Sequence, residues 1–127
     1  MNDIEAIRQL TARYNRASDE GDLADWLACY APNATFTRSN AERSYAGPEE
    51  LRLLLLETTV AARHVTTDFV IEVDGDTARQ TCYLMFLDRR RQFAVSMFGT
   101  YHDKLVKSDG RWRFQARFLQ VDEGPVG

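Results

Sequence analysis

Two imidazoles, His64 and His102, stand out in a chain of 127 residues. A ring of this kind is the natural proton carrier near neutral pH. His64 heads "HVTTDFVIEV", where a helical texture gives way to an alternating one. Alternation groups it with Thr66 and Asp68, opposite Val65, Thr67, Phe69, Ile71 and Val73. A polar set like this either lines a cavity or faces water. His102 alternates with Thr100 and Lys104, which reads as solvent-facing. Asp19 falls in the last turn of a helix, where a carboxylate opposes the helix dipole at a cost of about 0.3–1 kcal/mol. It therefore needs a compensating partner, and Arg16 with solvent is the simplest. Tyr14 lies on an apolar helical stripe, where its hydroxyl must find a partner.

Other chemistry is thinly represented. Asp19, Glu20, Asp22 and Asp25 lack the spacing of a calcium loop, so capping and solvation account for them and no metal site is expected. Cys29 and Cys82 sit in apolar segments without metal spacing and read as buried free thiols. No glycine-rich phosphate loop appears, and no metal or organic cofactor is implied. "DRRRQ" at 88–92 is the one basic cluster, in a turn. With a net charge of −3, nucleic-acid binding is not expected.

These groups need elements to position them. Residues 3–20 read as a helix with Ile7, Leu10, Tyr14 and Ala17 inward, capped by Asn2 with Glu5 and stopped by Gly21. Asp22 caps a second, short helix carrying Leu23, Trp26, Leu27 and Tyr30 inward, ended by Pro32 and Asn33. "ATFT" and "RSYAG" are short β-type runs. Gly47-Pro48 opens a third helix with Leu51, Leu54, Leu55, Thr58 and Ala62 on its inner face. Four long strands follow, with hairpin signals at Asp74-Gly75 and Asp109-Gly110. The last, "RWRFQARFLQV", sets Trp112, Phe114, Ala116 and Phe118 on one face. Asp103, grouped with Tyr101 and Gly99, is placed to pair with Arg113 or Arg117.

Helices first and an antiparallel meander second indicate an α+β fold over residues 1–127 as a single domain, with helices packed on one face of a curved sheet. Such a roofed sheet encloses a cone-shaped cavity suited to a small molecule. Trp26, Tyr30, Phe36, Cys82, Phe98 and Tyr101 are the candidates for its wall. The convex face stays apolar and calls for a partner, most simply a second copy. No apolar run is long enough to span a membrane. The acidic, amphipathic start is unlike a secretory signal, so a cytoplasmic location is expected.

"IRQLTARYNRASDEGDLADWLACYAPNATF", "GPEELRLLL", "RHVTTDFVIEVDGDTA" and "GTYHDKLVKSDGRWRF" together resemble SnoaL-like proteins of the nuclear transport factor 2-like superfamily, in the same order and over nearly the whole chain. The resemblance implies a cone-shaped α+β barrel: three N-terminal helices on a curved, mostly antiparallel sheet. Scytalone dehydratase, bile-acid dehydratase and hexachlorocyclohexane dehydrochlorinase in that superfamily use an Asp–His pair. Their positions match Asp19 and His64, and Tyr14 fits the bile-acid enzyme's tyrosine. The sequence also departs from these relatives. Cys82 stands near a second catalytic histidine of scytalone dehydratase. Arg38 stands where ketosteroid isomerase has its base.

The resemblance implies a cofactor-free lyase or isomerase, dehydratase-like, acting on a hydrophobic ring substrate. His64 would be the base, Asp19 its orienting partner and Tyr14 a hydrogen-bond donor. Two other functions suit the same fold. One is a non-catalytic small-molecule-binding or dimerisation module. The other is an epoxide hydrolase or cyclase, which needs a second carboxylate facing Asp19, with Asp103 the nominee.

Overall fold

The computed structural model describes residues 1–57 and 61–122. Helix α1 spans Asp3–Glu20. Its N-terminus is capped by the Asn2 side chain, which accepts from the Glu5 amide at 2.8 Å. Gly21 ends it with φ +71° and returns its N–H to the last turn. Ile7, Leu10, Tyr14 and Ala17 are all buried along one face. Asp22 caps α2 (Leu23–Ala28) through the Asp25 amide. α2 stops at Cys29, before the Pro32–Asn33 pair expected to end it, and Tyr30 is already the first residue of a strand.

That strand, β1, runs Tyr30–Arg38, and β2 is the pair Tyr45–Ala46. Helix α3 covers Gly47–Glu57 with Leu51 and Leu54 buried. Thr58 lies outside the described residues, and Ala62 belongs to the next strand. β3 (Ala62–Asp74), β4 (Thr77–Asp88), β5 (Ala94–Ser108) and β6 (Arg111–Val121) form the meander. Asp109 and Gly110, both at positive φ, supply the tight β5–β6 turn. β1 joins β6 in parallel, giving one mostly antiparallel sheet in the order β2-β1-β6-β5-β4-β3. The sheet curves but does not close, because its edges β2 and β3 do not pair with each other. α1 packs beside β3 and α3 beside β1.

Two irregularities decide which side chains face the helices. In β3, Thr67 pairs with Tyr83 and Val70 with Thr81, so Asp68 and Phe69 together oppose Cys82. Asp68 takes φ +55° to make this bulge. The inward set is therefore Ala62, His64 and Thr66 before the bulge, and Phe69 and Ile71 after it. Simple alternation, which puts His64 and Phe69 on opposite faces, fails here. In β6, Gln115 has no cross-strand partner, since Ala116 pairs with Lys104 and Phe114 with Leu105. Trp112 and Phe114 face inward, and after the extra residue so do Arg117 and Leu119. Phe118, expected beside Phe114, points outward instead.

Candidate active site

Asp19 is still within the regular helix α1, which runs to Glu20. It projects from the last turn of α1 toward the start of β3, where strand and helix lie side by side. Its carboxylate accepts the His64 backbone N–H at 3.1 and 3.2 Å and meets His64 Nδ1 at 2.6 Å. Two donors from one residue thus offset the unfavourable dipole that the helix end imposes. Arg16 plays no such role, as it makes no ion pair with Asp19. Both side chains are largely buried, at 10% exposure for His64 and 17% for Asp19. The Phe86 ring stands nearly perpendicular to the imidazole, with ring centroids 4.8 Å apart. With Nδ1 bound to the carboxylate, Nε2 is the nitrogen left to accept a proton.

His64 lines a cavity of about 450 Å³, open to the outside, between the helices and the sheet. Tyr14, Trp26, Phe36 and Tyr101 share that lining. The Tyr14 hydroxyl shares a 2.8 Å hydrogen bond with Tyr30, so Tyr30 can donate to Tyr14 and leave the Tyr14 proton free. Burial holds the Tyr14 phenol in its neutral form by raising its pKa, against the opposing pull of the Arg117 charge.

Three wall candidates are placed elsewhere. Tyr30 is buried behind Tyr14 and Trp26 and does not line the cavity. Cys82 is likewise buried behind the lining, a free thiol that burial pushes up to about 12. Phe98 is on the other face of the sheet and 52% exposed, because the pleat turns Met97 and Gly99 inward on either side of it. His102 is exposed on the same outer face, hydrogen-bonded to Gln120.

Asp103 does not face Asp19. It is sealed in the interior, held by Arg117 at 2.8 and 3.2 Å and by Gln80 at 2.9 Å. Neither side chain of the Asp103–Arg117 pair is exposed at all. The guanidinium is packed against the rings of Tyr101, Phe114 and Tyr14, at 3.7, 4.1 and 4.4 Å. Arg117 thus lies as a fixed cation beneath two cavity tyrosines. The sequence offers Arg113 or Arg117 as the partner of Asp103, and the structure selects Arg117 and buries the pair. The carboxylate that does line the cavity is Glu57, which no reading of the sequence singled out. Hydrogen bonds from Tyr45 and Arg43 hold its pKa below the usual range, so it stays an acceptor bound to both. Among the described residues, no group of three or more His, Cys, Asp or Glu gathers where a metal ion could be held. No helix of the described residues is long and apolar enough to cross a membrane.

Three helices over one face of an open, curved sheet, with an Asp–His pair of which the histidine lines the space between and the aspartate stands behind it, place the molecule among proteins of cystatin-like fold. An NTF2-like protein of this fold from Novosphingobium aromaticivorans superposes with TM-score 0.87 at 20% identity, covering 98% of this chain and 84% of that one. The chain belongs to the SnoaL-like domain family, whose model matches residues 1–117. Rv3472 of Mycobacterium tuberculosis, a protein of unknown function solved as an aspartate-to-asparagine variant, is 30% identical over 95% of this chain and 72% of that one, with TM-score 0.88. A scytalone dehydratase candidate from N. aromaticivorans shares the fold with TM-score 0.81 at 18% identity, covering 94% of this chain and 84% of that one. No curated protein matches the sequence.

Proposed function

We propose that this protein is a cofactor-free lyase or isomerase, dehydratase-like, that acts on a hydrophobic ring substrate in the cavity. The observation that carries the reading is the 2.6 Å contact between Asp19 and His64 Nδ1 in a ring that lines the cavity. His64 Nε2 takes a proton from a C–H next to an electron-withdrawing group. Asp19 fixes the tautomer and stabilises the imidazolium as it forms. Tyr14 donates a hydrogen bond to the carbonyl or leaving group. In dehydration the C–H and C–O bonds break, a C=C bond forms, and the proton leaves with the hydroxyl as water. In isomerisation the same proton returns to a different carbon. Membership of the SnoaL-like family supports the reading, as does the fold shared with a scytalone dehydratase candidate.

The test is a screen of hydroxylated and halogenated ring compounds, followed by the absorbance of the new double bond. His64→Ala should keep the fold and lower kcat by roughly 10²–10⁴-fold. A His64→Ala enzyme that turns over the identified substrate at the wild-type rate would sink the reading.

The outer face of the sheet supports a second element of the proposal, a homodimer. Three cross-strand rows run Val65–Met85–Phe98, Thr67–Tyr83–Thr100–Gln120 and Thr81–His102–Phe118–Thr37. None of these positions is Asp, Glu, Lys or Arg, in a chain that is 28% charged, and the first acid comes at the end of the first row, where Asp122 donates its N–H to the Phe98 carbonyl. Tyr83, Phe98 and Phe118 remain exposed there. A two-fold axis through such a face brings uncharged surface against itself. Sedimentation should give about 29 kDa, twice the chain mass of 14.6 kDa. A Tyr83→Lys/Phe98→Glu double variant should run as a monomer, and an unchanged mass would refute the interface.

A further inference from the structure

Two more hollows meet at His64. One, of about 490 Å³, runs between α1 and the free edge of β3 and is walled in part by Arg16, Asp19, Glu20, Arg63 and Arg89. The other, of about 410 Å³, lies at the C-terminal ends of α1 and α3 and borders both the first and the cavity. It shares Ser18, Leu55 and His64 with the cavity. It shares Asp19, Glu20, Ala62, His64 and Arg89 with the groove beside β3. Apolar Leu55 and Leu56 line this hollow.

The groove is cationic in a chain of net charge −3. Arg16, Arg63 and Arg89 line it from α1, β3 and the 3-10 turn after β4, and all three are exposed. None forms an ion pair among the described residues. Arg63 lies over the Phe93 ring, 5.3 Å away, which leaves its planar donors free. Two acids oppose them. Asp19, hydrogen-bonded to His64, and Glu20 set two carboxylates against three guanidiniums, which leaves an excess of one positive charge.

We infer that the groove holds an oxyanion, a carboxylate or a phosphate, carried by the ligand whose ring fills the cavity. The ligand is then an amphipathic anion. Its apolar part passes Leu55 and its charged end is gripped by Arg16, Arg63 and Arg89, so the carbon between them lies at His64. The inference rests on the Asp19–His64 reading, because it places the reacting carbon at that pair. Guanidinium forks suit either oxyanion, each bond being charge-assisted.

Calorimetric titration with 1-naphthyl phosphate, 1-naphthoate and uncharged 1-naphthalenemethanol tests this. At low salt at least one of the two anions should bind the wild-type protein roughly tenfold tighter than the alcohol, the equivalent of one charge-assisted bond. Raising NaCl to about 0.5 M should narrow the gap. The Arg16→Gln/Arg63→Gln/Arg89→Gln variant should lose the preference while binding the alcohol as before. Arg89→Gln alone, in an exposed turn, should lose part of it and serves if the triple variant misfolds. The stronger of the two anions identifies the charged group. Equal affinity for all three compounds, or a preference that survives the triple variant, overturns the inference and leaves the Asp–His reading intact. Binding of none of them overturns the inference as well, and takes the ring-binding role of the cavity with it.

Discussion

Replacing Asp103 with leucine strands the Arg117 guanidinium in the interior. It loses two carboxylate hydrogen bonds, at 2.8 and 3.2 Å, and both side chains are fully buried. Removing one partner of such a pair costs about 3–5 kcal/mol, because the remaining charge is neither solvated nor compensated. The three surrounding rings offset some of that, since a desolvated cation–π contact contributes about 2 kcal/mol. Gln80 also retains its 3.1 Å bond to Thr11. A loss of about 3 kcal/mol follows. For a chain of this length, an unfolding entropy of roughly 2.1 cal/mol/K per residue turns that loss into a drop in Tm of about 11 °C. Urea denaturation followed by tryptophan fluorescence, with calorimetry at pH 7, measures both. The Asp103→Leu/Arg117→Met double variant removes both charges and should recover most of the loss. A single variant less than about 1 kcal/mol destabilised would refute the reasoning. So would a double variant as unstable as the sum of its parts.

Gly99 sits where a Cβ would meet the Gln120 carbonyl oxygen at 2.8 Å and Leu119 Cδ1 at 2.9 Å. Gly99→Ala should cost about 1–3 kcal/mol by pushing β5 from β6, and an unchanged Tm would show that the strands yield freely. Burial pushes the thiols of Cys29 and Cys82 up to about 11 and about 12. Ellman's reagent at pH 8 should label neither in the native protein and both in urea, and fast native labelling of either would contradict their burial. A raised folded-state value means the folded protein holds its thiol protons longer. That contribution to stability is whole below the unfolded thiol value, about 8.5, and is lost as pH climbs through the folded ones. Tyr14, Tyr30 and Tyr101, also raised by burial, act with the same sign. Tm should therefore fall steadily above about pH 8.5, and a flat profile would show that these groups titrate freely in the folded protein.

Local signals carried much of the fold. Asn2, Gly21 and Asp22 bound their helices as side-chain chemistry and positive φ require, and both hairpins turn at their glycines. Facing was less legible. A period of two propagates from any starting residue until a bulge breaks it, and neither bulge has a glycine or proline to mark it. Asp68 in β3 is polar and takes positive φ without one, and Gln115 in β6 is ordinary in type. His64 is therefore readable as polar, but not as inward. Arg117 is readable as a partner of Asp103, but not as a buried cation under Tyr14 and Tyr101. Phe98 falls on the wrong face for want of an anchor in β5. The inward glycine at 99 is that anchor once the approach of Gln120 is seen. The meeting of Asp19 with His64 is a tertiary fact, set by the packing of α1 against β3. Helical phase within α1 alone could not supply it.

The carboxylate of Asp19 also occupies an N–H on the rim of the sheet. β3 is 13 residues long and terminal, the kind of strand on which a foreign chain can add and aggregation can begin. Asp19 blocks it at His64, and α1 lies against it. Further along, the Asp68 kink and the charges of Glu72 and Asp74 make the rest a poor template. The opposite rim, β2, is only two residues long. Both rims therefore resist sheet extension. A variant that loses Asp19 should be handled as a colloidal risk, quite apart from any chemistry it forfeits.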